Sequence, residues 1–342
     1  MASLTEPSFS SGKREELADL IALVDAKDTP FTSMAKKGSK PGNTLFRWQA
    51  DSLPTPKMTG TVDGTDVSTY DNYTKDGATQ YRAELSNYIQ IFRRSVRVSP
   101  LTQDITTVAG VRDELANNVA KGIQALKRDM EVTFCSNNGA QADNGTNPYL
   151  TRGLHKWLQP IATKDSVLPV IDQFCTPTAN RSTVGTASLT ESVVQNVLTG
   201  IYSQTGQYKD YDALVGTALK RAFTNLVFTT AQGSGTAPMT AIRTLNRESD
   251  SSSYISSVDV FEGDFGKLRL HPSHYLNATS GVGSTFAGYV IPFDQVEVRY
   301  GGNVAGVTSL TNNGGGEARM IEAVAGLCVY NPLAFGVFDF TA

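Results

Sequence analysis

Apolar residues recur in three- and four-residue steps through residues 104–136, at Val108, Val111, Leu115, Val119, Ile123, Leu126, Met130 and Phe134. That spacing lays them along one helical stripe and predicts the longest helix of the protein, a spine from which the other elements hang. Asp113 and Glu114 fall near its positive end and Lys127 and Arg128 near its negative end, complementing the helix dipole. About 25 helical residues would span roughly 37 Å. Gly122 interrupts the stripe at a cost of about 1 kcal/mol relative to alanine. It reads as a tolerated glycine, with close backbone approach as the alternative.

The pattern before the spine is different. Residues 11–23 form a short amphipathic segment with Leu17, Leu20, Ile21 and Val24 on one face. Pro30 pushes Thr29 out of the helical region, so Asp28-Thr29-Pro30-Phe31 ends that segment, leaving Phe31 and Met34 to dock an extended arm. Residues 36–41 read as a hinge. From 42 to 99 the texture is strand-like, first in TLFRWQADSL and again in NYIQIFRRSVRVS, where Ile89, Ile91, Val96 and Val98 alternate. The polar interval 55–80 between them carries little that could build a core and is placed at the exposed tip of a two-stranded excursion. A two-stranded ribbon is marginal alone, which makes this one a candidate contact arm; a flexible hairpin without a partner is the alternative.

After the spine, residues 137–148 are turn-rich and the stretch to 187 has no clear period. Ser188-Leu189-Thr190-Glu191 has capping-box spacing and predicts a helix carrying Val194, Val197, Leu198 and Ile201, closed by Gly206. A strand at 211–216 and a helix capped by Thr217, with Leu219, Phe223 and Leu226 on one side, complete a helix, strand, helix unit. Residues 231–237 form a Gly/Ser loop. Strands are expected at 255–261 and 267–271, joined by a turn at 262–266, and again within 290–300 and 320–340. One long helix, a few short ones and many strands without regular βαβ alternation predict an α+β fold.

Composition narrows the function. A formal net charge of -3 over 342 residues argues against a polybasic nucleic-acid binder. The N-terminus lacks an apolar signal core, and no apolar run of about 18 residues occurs, so a cytosolic product without a membrane span is expected. Three cysteines, Cys135, Cys175 and Cys328, at unrelated distances and without a CxxC pair, read as free thiols in or near the core. Candidates for chemistry are weak. His271 and His274 lack a third metal ligand of suitable spacing. Gly281 to Thr285 lacks the lysine of a phosphate loop, and Gln232 replaces a glycine of the nucleophile elbow around Ser234. Asp63, Asp66, Asp71 and Asp76 depart from calcium-loop spacing. Arg93, Arg94 and Arg97 say more. At the root of a projecting ribbon they suit carboxylate pairing across a protein interface better than nucleic-acid binding; a solvated edge is the remaining reading.

The order of DTPF (28–31), GNTLFRWQADSL (42–53), NYIQIFRRSVRVS (87–99) and ALKRDME (125–131), with VDVFEGDFGKLRL (258–270) further on, resembles the major capsid proteins of tailed phages. The resemblance implies the Hong Kong 97-like fold. It divides the sequence into an N-terminal arm (1–41), an extended hairpin or E-loop (42–99), a peripheral domain with the spine helix (100–187), an axial domain with return strands (188–318) and C-terminal strands returning to the core (319–342). It implies a shell subunit of the virion, made and assembled in the host cytoplasm, with no enzyme activity, cofactor, metal or membrane. The implied partners are further copies of the same protein in pentamers and hexamers, scaffolding, portal and decoration proteins, and packaged double-stranded DNA through non-specific proximity. Because the sequence starts almost at the arm, a separate scaffolding protein, or none, is expected. The expected assembly interface is the ribbon, with Phe46, Trp48, Ile91 and Phe92 fixing its base and Arg93, Arg94 and Arg97 pairing with acidic residues of a neighbour. Two alternatives stand beside it: a cellular nanocompartment shell of the same fold, and a hydrolase with an unrecognised site.

Overall fold

The computed structural model describes residues 28–53, 56–68, 70, 82–105, 113–185, 189–228, 246–248, 251–253, 258–276, 285–302 and 305–341. In sequence order these hold helix α1 (Pro30–Met34) and strands β1 (Lys36–Gly38), β2 (Leu45–Asp51), β3 (Arg82–Tyr88) and β4 (Gln90–Val98). Helices α2 (Pro100–Ile105), α3 (Glu114–Phe134) and α4 (Leu154–Trp157) follow, then β5 (Arg181–Gly185), α5 (Glu191–Thr205), β6 (Lys209–Val215) and α6 (Thr217–Phe228). The remainder is strand: β7 (Asn246–Glu248), β8 (Ser251–Ser253), β9 (Val260–Gly263), β10 (Gly266–Pro272), β11 (Thr285–Ile291), β12 (Val296–Tyr300), β13 (Gly306–Leu310), β14 (Glu317–Val329) and β15 (Gly336–Thr341).

The spine is α3, and it starts later than the apolar period suggested. Asp113 is extended, at φ -137° and ψ 100°, and its carboxylate accepts the Ala116 amide at 3.0 Å, so it caps the helix. Residues 106–112, with Val108 and Val111, lie outside the described residues. Leu115, Leu126, Met130 and Phe134 are buried, and Val119 and Ile123 pack at the rim of the same core. Gly122 is buried too, and a Cβ there would run into Ile321 of β14. It marks a close helix-to-sheet approach, correcting its reading as merely tolerated.

The peripheral sheet is built on β14. On one side β14 pairs antiparallel with β4 from Glu317↔Val98 to Ala325↔Gln90. Its other side takes β13 over Ala318 to Glu322 and β12 over Ala325 to Val329. The stretch expected to be a hinge supplies β1, which lies parallel to β12. Upstream, Pro30 starts a helix instead of stopping one: proline occupies the first turn of α1, where no amide hydrogen bond is lost. Phe31 is fully buried against Phe134 and Phe293, with ring centroids 6.3 and 6.0 Å away. The Glu131 carboxylate of the spine accepts the Phe31 and Thr32 amides at 2.8 Å each, tying down the end of the arm segment. The amphipathic residues 11–23 lie outside the described residues.

The second sheet runs β5-β15-β11-β6-β10-β9. Its middle strands are apolar on both faces, and the period of two sends alternate residues into different cores. Tyr211, Ala213 and Val215 of β6, Val290 of β11 and Phe338 of β15 join α5 and α6. Leu214, Tyr289, Ile291 and Val337 join the spine, β14 and the ribbon root. α5 opens at Thr190, whose hydroxyl makes no capping bond, while Ser188 of the expected capping box lies outside the described residues. Gly206, at φ 64°, closes it as expected. The expected strand within 290–300 is broken by Pro292 and a turn at Phe293–Gln295, and that within 320–340 by a turn at Pro332–Ala334. Each break lets the backbone pass from one sheet to the other.

The aperiodic stretch after the spine is held by polar groups. Arg152 and Asp165 form a buried pair at 3.0 Å; Asp165 also accepts the Ala140 amide, and the Arg152 guanidinium lies 4.1 Å from the Trp157 ring centre. Gly153 sits against the Ser136 carbonyl, where a Cβ would collide with backbone. Gly153→Ala is expected to lower stability by about 1–3 kcal/mol in urea unfolding. His155 of α4 is buried, edge-on to Tyr289 and 3.8 Å from Asp339, which Arg181 binds at 2.5 Å. Burial pushes its pKa from 6.5 down to about 4, outweighing the attraction of Asp339 and helped by Arg181 and Lys156. A depressed histidine pKa means that the fold rejects the proton. The stability it leaves intact above pH 6.5 is therefore lost as the pH falls towards 4. His155→Gln should flatten that acid loss, by at most about 3 kcal/mol, in unfolding free energies measured across this window.

Candidate assembly interface

The projecting ribbon is β2 paired with β3, from Leu45↔Tyr88 to Asp51↔Arg82. This differs from the expected excursion, whose second strand was the run beginning at Asn87. That run turns into the peripheral sheet as β4, because its alternation matches the core face of β14. Phe92 accordingly packs on Phe134 in the spine core, at 6.0 Å between rings. The overlooked strand is RAELSNY, whose buried Ala83, Leu85 and Asn87 alternate with residues facing outward. That period-2 signal was present but short, and polar Asn87 masked it.

Phe46 and Trp48 fix the base. Their rings stack at 5.6 Å; Trp48 lies 5.5 Å from Trp157, and its indole N–H donates to the Val329 carbonyl at 3.1 Å. Phe46 lies over Gly326 of β14, where a Cβ would come within 2.6 Å of its ring. The buried Asn87 amide donates to Leu327 O at 2.7 Å, and its carbonyl accepts the Arg152 amide at 2.8 Å. On the outer face Arg47–Glu84 and Arg82–Asp51 bridge the strands at 2.7 and 2.9 Å. Ile91 stands apart from this base, half-exposed on β4.

The three arginines lie on β4, away from the ribbon root, and two are paired within the subunit. Arg93 meets Glu322 of β14 at 2.6 Å, and Arg94 grips Asp129 of the spine through two bonds of 2.6 Å, which raise the arginine's pKa. Within one subunit, Arg93 and Arg94 thus already have carboxylate partners, where the expectation placed a neighbour's acidic residues. Each partner sits directly across the sheet or helix seam from its arginine. The exposed Arg97 lies against Gly315 in the loop between β13 and β14.

Beyond its base the ribbon carries apolar residues into solvent. Leu53 is 92% exposed, Met58 101%, Val62 79% and Tyr70 76%. Where its paired strands end, a groove of about 570 Å³ opens between Ser52 and Leu53, Gln204 and Tyr211 of the second sheet's lobe, and Asn331. Elsewhere, the two histidines of the HPSH run part company. His271 faces Asp212 at 2.9 Å, while His274 lines a separate groove with Arg94 and Arg128. The three cysteines are buried and free. Asp63, in a turn with Gly64, and Asp66 are exposed, whereas Asp71, Asp76, Gln232, Ser234 and Gly281 lie outside the described residues.

A spine helix against one sheet, a second lobe on its own sheet and a projecting ribbon define the architecture of phage capsid subunits, the Hong Kong 97-like fold. The capsid of cyanophage A-1(L) holds a subunit similar to this one at TM-score 0.62 and 12% identity, over 99% of this protein and 100% of that one. A subunit of the cyanophage P-SCSP1u capsid is similar at TM-score 0.60 and 12% identity, over 96% and 92%. The protein belongs to the SU10 major capsid protein family, whose model matches residues 4–341. It is also 34% identical over 141 residues to the major capsid protein of Escherichia phage Phieco32, a match spanning 41% of this protein and 38% of that relative.

The base and the charged pairs should separate in energy. Trp48→Ala is expected to cost about 3–5 kcal/mol of protomer stability. Arg93→Ala, which removes a half-exposed pair, should cost about 1 kcal/mol or less in the same urea titration.

Proposed function

We propose that this protein is the subunit of a phage head shell and acts by self-assembly, not catalysis. The observation that carries this reading is the ribbon, anchored by Phe46 and Trp48 yet exposing Leu53, Met58, Val62 and Tyr70 almost fully. Isolated exposed apolar residues are ordinary, but a projecting segment that repeats them calls for a covering surface. A second copy supplies it: a ribbon laid over the next subunit makes a heterologous contact, and such contacts close into rings. Pentameric and hexameric rings then combine into a closed shell around double-stranded DNA.

In this arrangement the division into arm, E-loop, peripheral domain, axial domain and C-terminal return strands carries over, with the E-loop proper being β2, β3 and the residues between them. Phe46 and Trp48 position the ribbon from inside its own subunit. Ile91 and Arg97, both exposed on β4, are the members of the expected set left available to a neighbour. The site of action is the virion, reached after synthesis in the host cytoplasm, and portal, scaffolding and decoration proteins are its further partners. The family match supports a phage shell over a cellular nanocompartment or a hydrolase.

Deleting residues 55–80 should leave a protomer that unfolds cooperatively, because Phe46, Trp48 and Asn87 stay in place. The same deletion should abolish particles in electron micrographs. Normal shells formed by the deletion variant would refute the assignment.

A further inference from the structure

Three Asn-Gly pairs occur in the sequence, Asn138-Gly139, Asn144-Gly145 and Asn313-Gly314, and the fold treats them unequally. From their geometry we infer that Asn313 is a self-modification site, converting spontaneously to aspartate and isoaspartate in the loop between β13 and β14 while the other two pairs are protected. In this reaction the Gly314 backbone nitrogen gives up its proton to base and attacks Cγ of Asn313. A new bond between that nitrogen and Cγ closes a succinimide, and the bond from Cγ to Nδ2 breaks with release of ammonia. Water then opens the ring at either carbonyl, leaving aspartate or isoaspartate; no oxidant or reductant takes part.

Ring closure needs a free asparagine amide group, a backbone that can turn and a glycine nitrogen within reach. Asn144 lacks the first two. Its Oδ1 accepts the Thr146 and Asn147 amides at 3.1 and 2.7 Å, and its own backbone amide donates to the Asn147 carbonyl at 3.2 Å, closing a tight turn. Asn138 lacks the second. Its backbone carbonyl accepts the Gly153 amide at 3.0 Å, and the next amide but one, that of Ala140, is held at 2.7 Å by Asp165 of the buried Arg152 pair. Rotating the Asn138 peptide would strain the whole stretch that follows the spine.

Asn313 is exposed. Its glycine lies in the left-handed region at φ 90°, with open space where a Cβ would sit, and the Gly314 nitrogen makes one bond, to Asn312 Oδ1 at 2.9 Å. Arg97 packs against Gly315, so a cation stands beside the negative charge that develops during attack and beside the carboxylate that results. The product adds an anion to a hairpin whose neighbouring charged groups are Arg97, Arg319 and Glu317.

The test is incubation of the folded, full-length protein at mildly alkaline pH, followed by tryptic mass spectrometry. Cleavage at arginine places Asn313 in peptide 300–319 and both protected pairs in peptide 129–152, an internal control. The expected result is amide-to-acid conversion localised to Asn313 and at least about tenfold faster than at Asn138 or Asn144, the ratio that a single lost hydrogen bond's worth of extra barrier produces. In urea the three sites should convert at comparable rates, and Asn313→Gln should leave peptide 300–319 unmodified. Equal rates in the folded protein would overturn the inference. So would an intact Asn313 in folded protein under conditions where the urea-unfolded form converts.

Discussion

Trp48 is where the projecting part of the molecule is tied to its body. A two-stranded ribbon cannot bury its own residues on both faces, so its rigidity has to come from the surface beneath. The indole meets that need by stacking on Phe46, packing at a tilt against Trp157 and donating to the end of β14. Aromatic rings bring large buried area, and the indole N–H would be costly to bury without an acceptor. One end of the ribbon is thereby fixed while the other carries its apolar residues outward.

β14 transmits that constraint to the rest of the fold. It receives the ribbon root over Gly326 and the spine helix over Ile321, and it pairs with β4, β12 and β13. Glycine at two of these contacts, Gly122 and Gly326, allows helix and aromatic ring to approach more closely than a larger residue would permit. The second sheet closes the other side, with alternate residues of β6, β11 and β15 committed to separate cores. Such a strand cannot slip by one residue without exchanging both sets, so its register is strongly specified.

Charge plays a different part. Arg93 and Arg94 pair with Glu322 and Asp129 across seams inside one subunit, in half-exposed positions where ion pairs add little stability. Their value is positional, holding β4 to β14 and to the spine. The buried Arg152–Asp165 pair is another matter, because removing one partner would strand a charge in the interior. It orders a stretch that has few apolar residues in any regular pattern.

Much was legible in the sequence itself. The three- and four-residue period of the spine, the helix ending at Gly206, the hairpin of β9 and β10 and the α+β class all follow from local periodicity and turn chemistry, which act over a few residues. Tertiary structure decided what depends on distant partners. Whether NYIQIFRRSVRVS joins the ribbon or the sheet depends on β14, which lies far along the sequence, with Glu317 pairing to Val98. Pro30 begins a helix because Glu131 waits for the amides that follow it. Arg93 and Arg94 look like free interface cations until the fold brings Glu322 and Asp129 beside them. Period and propensity are properties of neighbouring residues, whereas strand pairing, ion pairing and the close approach at Gly122 are set by which distant surfaces exclude water together.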